Sequence, residues 1–240
     1  MLNKKAFKLP IIVTFILAEL ILGVLVQTVS GRANSWVSFS CVLLACLFVL
    51  LFFDKSKVYF LTQLGLVCTV CADIFLVVMD PIKQLPAMVF FSVTQMCYFV
   101  RLYLNHTTEK QKRVHLVARA VSTVVALLAT ILVLGANTDA LSLVSLFYCA
   151  NLAVNIVVAF TQFKSCPTLA VGLLLFLCCD TVIGLNVMAD SYISGAGESF
   201  IMQLIDVDFN LAWVFYVPSQ MLIALSLLKY GKQPNKEATA

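Results

Sequence analysis

Long apolar runs, separated by short polar segments, recur along the whole chain. About 20 helical residues at 1.5 Å rise each cross the hydrocarbon core of a bilayer, and each run approaches that length. Nothing alternates like a membrane β-barrel strand. The pattern therefore predicts an all-α, polytopic bundle of about eight transmembrane helices that forms one domain over residues 1–240. The predicted helices lie near residues 8–30, 36–53, 58–79, 86–104, 115–135, 140–162, 167–189 and 209–229.

Composition limits where any chemistry can occur. Hydrophobic residues make up 62% of the 240 residues and charged residues only 12%, against about 25% charged in an average globular chain. This leaves no room for a soluble domain, so a reaction or binding event must take place inside the bundle or at its rim. The net charge of +4 comes from short loops and tails. It forms no basic stripe, and we therefore expect no nucleic-acid partner.

The distribution of Lys and Arg predicts the topology. If the N-terminus is cytoplasmic, fourteen of the sixteen basic residues fall on the cytoplasmic side, and only Arg32 and Lys83 fall on the other. This is a strong positive-inside signal, and with eight helices it predicts that both termini are cytoplasmic. The first apolar run follows a basic flank, as in a signal peptide. It contains Glu19 and lacks a small-x-small cleavage site, so we interpret it as a retained helix. Minimal loops favour a multi-pass protein of a bacterial cytoplasmic membrane.

Two aspartates lie well inside apolar spans. Asp73 belongs to the third predicted helix and Asp180 to the seventh. A carboxyl group at that depth costs several kcal/mol by most estimates, so it usually faces the bundle interior and serves a function. The pair is therefore the predicted catalytic centre.

Further polar side chains occur at similar depth, and several share a helix face. Residues three or four apart lie on the same face of a helix, and a polar face in a membrane bundle turns inward. The simpler interpretation of the amides is an interhelical hydrogen bond of about 0.6 kcal/mol. The candidate substrate-binding or positioning residues are Gln95, Tyr98, Asn151, Tyr216, Gln220 and Glu19.

Other potentially reactive groups receive simpler interpretations. The nine cysteines lie in or beside apolar spans, where a free thiol packs as a small hydrophobe. His106 and His115 are predicted to be solvated in a basic cytoplasmic loop. No group of side chains has metal-ligand spacing and no glycine-rich phosphate loop occurs, so we predict neither a metal nor a cofactor. The longest outer loop, residues 190–206, is interpreted as a connector rather than a lid.

Short motifs in three of the spans resemble those of the YhhN-like lysoplasmalogenase family of eight-span membrane hydrolases. The third span has Ala72-Asp73-Ile74-Phe75-Leu76, where the family has Gly-Asp followed by apolar residues. The seventh has Cys179-Asp180, matching a small residue and Asp. The last has the aromatic pair Phe215-Tyr216 and then Gln220 before apolar residues. In the fourth span Gln95 stands where the family carries histidine, between Phe91 and Tyr98.

The resemblance implies hydrolysis of the vinyl ether of lysoplasmalogens to a fatty aldehyde and a glycerophospho-alcohol, with Asp73 and Asp180 as the catalytic acids. Protonation of the alkene carbon gives an oxocarbenium ion, which water captures as a hemiacetal. Two nearby carboxyls in a low dielectric share one proton, which provides one acid and one stabilising charge.

The implied partners are the bilayer and a membrane lipid or lysolipid substrate, and a homodimer is compatible with the pattern. Two alternative functions remain open at this stage. A proton-coupled transporter would use the acids as a relay. A non-catalytic lipid-binding relative would fit the replacement of histidine by Gln95.

Overall fold

The protein is an all-α bundle in a computed structural model that describes residues 4–51, 56–106, 108–192 and 209–228. This part of the chain contains eight α-helices, as predicted, and no strand. Seven are long and apolar enough to cross a membrane, and the last is a shorter apolar helix of 15 residues. The chain is thus a multi-pass membrane protein. The helices are α1 Lys4–Thr28, α2 Gly31–Leu51, α3 Lys57–Asp73, α4 Gln84–Leu104, α5 Glu109–Leu134, α6 Ala140–Thr161, α7 Pro167–Tyr192 and α8 Leu211–Leu225.

Helix α5 begins six residues earlier than the prediction of 115–135. Thr108 caps it in a reciprocal arrangement with Gln111, each side chain accepting from the other's backbone N–H. Glu109 pairs with Lys112 at 2.6 Å within the first turn. The predicted start was wrong because it was placed where the apolar run begins. The capping box starts the helix earlier, among basic residues that were assigned to a loop.

The third predicted helix, 58–79, is two elements. α3 ends at Asp73, and the chain continues as a π-helical turn over Ile74–Val78. π-helical turns inside helices often occur at functional sites, because the wider turn changes the direction of neighbouring side chains. Asp73 is therefore the last α-helical residue before a change in helical geometry.

Helices α7 and α8 pack closely along an extensive interface. A Cβ atom added at Gly172 would lie 2.9 Å from Cγ1 of Ile223 and 3.2 Å from the carbonyl oxygen of Ser219, so the two backbones approach closely. Ser219 also donates to the Gly172 carbonyl at 2.8 Å. Small residues at membrane helix interfaces permit this packing.

α5 lies at the periphery of the described bundle and packs mainly on α6. Its outward side chains are highly exposed, with Leu132 at 82% and Val133 at 81%, as expected for a face that contacts lipid. The residues that tie α5 to the rest of the protein are polar and are described below.

Arg101 is fully buried near the end of α4, although the topology prediction counts it among the cytoplasmic charges. Its guanidinium donates to Thr62 Oγ1 at 2.9 Å and to Ser226 Oγ at 2.8 Å. Tyr59 adds a hydrogen bond to the Leu227 carbonyl at 2.9 Å. These bonds join α3, α4 and the end of α8, so this arginine stabilises the bundle rather than marking a loop.

All nine cysteines are free, and six of them are buried. Most of the outer loop at 190–206 lies outside the described residues, as do the final twelve residues of the chain. The cytoplasmic placement of both termini stays a prediction.

Candidate functional site

Asp73 is held by a tyrosine from the last helix. Its side chain is 2% exposed, and the Tyr216 hydroxyl donates to Oδ2 at 2.8 Å. Tyr216 is 5% exposed and comes from α8, more than 140 positions further along the chain. A hydroxyl that donates to a carboxylate stabilises the negative charge and fixes the direction of the oxygen.

Asp180 has the same kind of partner from a different helix. The hydroxyl of Tyr148 on α6 donates to Oδ2 of Asp180 on α7. Tyr148 is buried, whereas Asp180 is half-buried. The second acid is therefore the more accessible of the two.

The two acid–tyrosine pairs belong to one site. The carboxyl groups of Asp73 and Asp180 lie within electrostatic range of each other, and the Cys179 thiol lies within range of both. The ring of Phe176 stands between the tyrosines, with its centroid 5.4 Å from Tyr216 and 6.3 Å from Tyr148. The structure thus brings together the two aspartates from the third and seventh spans in a setting of aromatic side chains.

A second polar cluster continues from Tyr148 along the same face of α6. Arg119 of α5 donates from its two terminal nitrogens to the side-chain oxygens of Asn151 and Asn155. Asn155 donates to both the backbone carbonyl and the side-chain oxygen of Gln95, each at 2.9 Å. The Arg119 guanidinium also lies over the ring of Phe99, 4.0 Å from its centroid. The cluster joins α4, α5 and α6.

Arg119 and Tyr148 were not among the predicted site residues. The topology prediction counts Arg119 among the cytoplasmic charges although it lies inside the predicted helix 115–135, and the structure buries its side chain against α6. The available signal in the sequence is the four-residue spacing of Asn151 and Asn155, which places both amides on one face of α6. Tyr148 precedes Asn151 by three residues and so shares that face.

His115 was predicted to be solvated, and this is wrong. It is 2% exposed on α5, and its Nδ1 lies 3.0 Å from Nε2 of His106. Gln162 contacts His106 from α6 at 3.2 Å. Burial and the nearby Lys112 charge lower the pKa of His106 below its ordinary value. His115 is buried because α5 begins at Glu109, so the segment assigned to a loop is helical and places this side chain inside the bundle.

The remaining predicted residues make no hydrogen bond to the acids in the described part of the chain. Gln220 is buried one turn from Tyr216, and neither of its amide atoms has a partner among the described residues. Tyr98 is buried against Gly65, two turns from Asp73 along α3. Glu19 is fully buried beside a groove between α1 and α8 that Trp213 and Val217 also line. Its relation to the acids is therefore indirect.

The fold and the paired acids define a multi-pass helical membrane protein with a carboxyl pair inside its bundle. The model of the YhhN family matches residues 33–227, which include both aspartates and both tyrosines, and the chain belongs to that family. No curated protein and no solved structure matches the chain.

Proposed function

We propose that this protein hydrolyses the vinyl ether bond of lysoplasmalogens, releasing a fatty aldehyde and a glycerophospho-alcohol. The observation that carries the proposal is the convergence of Asp73 and Asp180, each bonded to its own tyrosine, within electrostatic range of each other. Vinyl ether hydrolysis needs a proton donor and a negative charge in one place, and such a pair supplies both.

The reaction begins with transfer of a proton from the neutral acid to the vinyl carbon remote from oxygen. The ether carbon becomes an oxocarbenium ion, and the ionised partner stabilises its positive charge. Water adds to this carbon and gives up a proton to a carboxylate, which restores the acid. The hemiacetal then collapses: its hydroxyl gives a proton to the carboxylate, the neutral acid gives one to the glycerol oxygen, and the bond to that oxygen breaks to release aldehyde and alcohol. The division of labour parallels that of the acid pair in glycosidases.

The two tyrosines favour this chemistry by keeping the carboxyl oxygens in fixed directions. Each hydroxyl donates to one Oδ2, which leaves the other oxygen of each carboxyl for substrate or water. Asp180, as the half-buried member, is the group that incoming substrate would meet first. The apolar rings around the site suit an alkenyl chain that arrives from the bilayer.

The direct test is aldehyde release by purified protein from a lysoplasmenyl lipid. We expect Asp73→Asn and Asp180→Asn each to lower kcat by about a thousandfold or more, since each removes an essential charge or proton. Asp80→Asn is the matched control, because this aspartate is exposed and its ion pair in the described part of the chain is with Arg32 at 3.4 Å. Wild-type protein that is folded and releases no aldehyde would disprove the proposal, as would unchanged release in both variants.

A further inference from the structure

The cluster around Arg119 has unused capacity to bind an anion. Arg119 is 8% exposed and Gln95 is fully buried. Nε of Arg119 and Nε2 of Gln95 have no hydrogen-bond partner among the described residues. Both atoms are donors. A buried donor without an acceptor costs about 1–3 kcal/mol, so this pair is under-satisfied in the structure as it stands.

The charge of Arg119 is also unmatched. The two ion pairs of the described residues involve Arg32 with Asp80 and Lys112 with Glu109, and neither reaches this cluster. The acceptors of Arg119 are neutral amide oxygens and the face of an aromatic ring. A buried guanidinium that has no acid beside it among the described residues favours an anionic ligand, and the planar fork of arginine matches phosphate oxygens in pairs.

The cluster and the acid Asp180 are both held by residues of α6. Tyr148, which holds Asp180, and Asn151, which holds Arg119, are three residues apart on α6, a rise of about 4.5 Å. The two residues that hold the guanidinium, Asn151 and Asn155, therefore follow Tyr148 by about one to two turns along α6. In a lysoplasmalogen, a glycerol unit separates the phosphate from the vinyl ether by a comparable length.

We propose that Arg119, with Gln95, binds the phosphate of a single-chain phospholipid while its ether bond lies at the acid pair. The inference rests on the proposed function for the role of the bound lipid, and on the Arg119 geometry alone for the phosphate. The amide oxygens of Asn151 and Asn155 hold the guanidinium when no phosphate is present. α5, which packs mainly on α6, is the element that would shift to admit the headgroup.

The kinetic test compares two vinyl ethers that differ only in the phosphate: an alkenyl glycerophosphoethanolamine and the corresponding alkenylglycerol. We expect wild-type kcat/KM to favour the phosphate-bearing substrate, and Arg119→Gln to reduce that preference roughly tenfold to a hundredfold. Arg119→Lys should retain part of it. Arg113→Gln is the control, because Arg113 is exposed on the same helix. If Arg119→Gln lowers kcat/KM for both substrates in equal proportion, the residue has a purely structural role and the proposal is overturned.

A binding test separates this proposal from the proposed hydrolysis. Thermal unfolding of the wild-type protein in detergent is measured with a saturated ether lysophosphoethanolamine, which has no vinyl bond, and with the matching alkylglycerol. Stabilisation by the phospholipid alone supports the site even if no aldehyde is ever released. Equal stabilisation by both lipids overturns it. Stabilisation by inorganic phosphate to the same extent would show that the ligand is free phosphate and would reject the lipid.

Discussion

Tyr216 and Asp73 form a hydrogen bond of 2.8 Å between the last helix of the bundle and the final α-helical residue of α3. The bond is buried on both sides, so it fixes the carboxyl relative to α8. Asp73 has α-helical backbone angles, so α3 sets the direction in which its side chain leaves the helix, and the π-helical turn starts only at the next residue. The tyrosine constrains the carboxyl from a distant part of the chain.

Removal of this hydroxyl should impair turnover more than folding. We expect Tyr216→Phe to lower kcat for lysoplasmalogen hydrolysis roughly tenfold to a hundredfold, since the carboxyl loses a charge-assisted hydrogen bond that orients it. Aldehyde release under single-turnover conditions measures the effect. Tyr59→Phe is the control, because it also removes a buried tyrosine hydrogen bond, here to the Leu227 carbonyl. Equal losses of activity in the two variants would show that the effect is one of general stability.

Gly172 should tolerate no larger residue. An alanine there would place its Cβ 3.2 Å from backbone atoms of α8, and the backbone cannot move aside as a flexible side chain can. We expect Gly172→Ala to lower the free energy of unfolding by about 1–3 kcal/mol, which thermal unfolding in detergent would detect. Gly184→Ala on the same helix is the control, because nothing lies within 4 Å of its added Cβ. A Gly172 variant as stable as wild type would mean that α7 and α8 do not approach this closely.

The general architecture and the positions of the two acids inside apolar runs could be predicted from the sequence, because both follow from the cost of polarity in a bilayer. The helix of Asp180 begins where it was predicted, whereas the change to a π-helical turn after Asp73 was not predicted. The tyrosine that orients Asp180 could not be singled out in the same way. A tyrosine such as Tyr148 is unremarkable in a membrane helix until its hydroxyl partner is known.

Arg119 was missed for a different physical reason. Basic residues near the end of an apolar run usually mark a cytoplasmic loop, and this rule is statistical. Arg119 already lies inside the predicted helix 115–135, but it was counted with the cytoplasmic charges. It lies four residues after His115, so both share the inward face of α5. What places this charge inside the bundle is its pair of acceptors on α6, Asn151 and Asn155, and no rule of hydropathy shows that pairing.

The buried carboxyl group of Glu19 should lower the stability of the protein. Its side chain is fully buried, and neither carboxyl oxygen has a hydrogen-bond partner among the described residues. Glu19→Met keeps the volume and removes the polar atoms. We expect it to raise the free energy of unfolding by about 1–3 kcal/mol. Thermal unfolding in detergent checks this, with Glu109→Met as an exposed control on α5 that should change little. A loss of stability in Glu19→Met would show that the carboxyl has a partner.

The His106–His115 contact should make stability depend on pH. The pKa of His106 is lowered from its ordinary value of 6.5 by burial and by Lys112, and its other neighbours are His115, Asn105 and Gln162. His106 binds a proton more readily in the unfolded chain than in the folded protein. The contribution of His106 to stability is therefore complete above about pH 6.5 and falls as the pH drops below that value.

We therefore expect the unfolding temperature in detergent to decline between pH 7 and pH 5. His106→Gln should make this decline shallower, by the slope that corresponds to roughly one proton taken up on unfolding. Glutamine keeps a neutral hydrogen-bonding group in the same place, so the variant should match wild type near pH 8. Lys112→Gln removes the nearby positive charge, so this variant should also make the decline with falling pH shallower. Parallel pH profiles for wild type and His106→Gln would show that this histidine binds its proton equally in the folded and unfolded states.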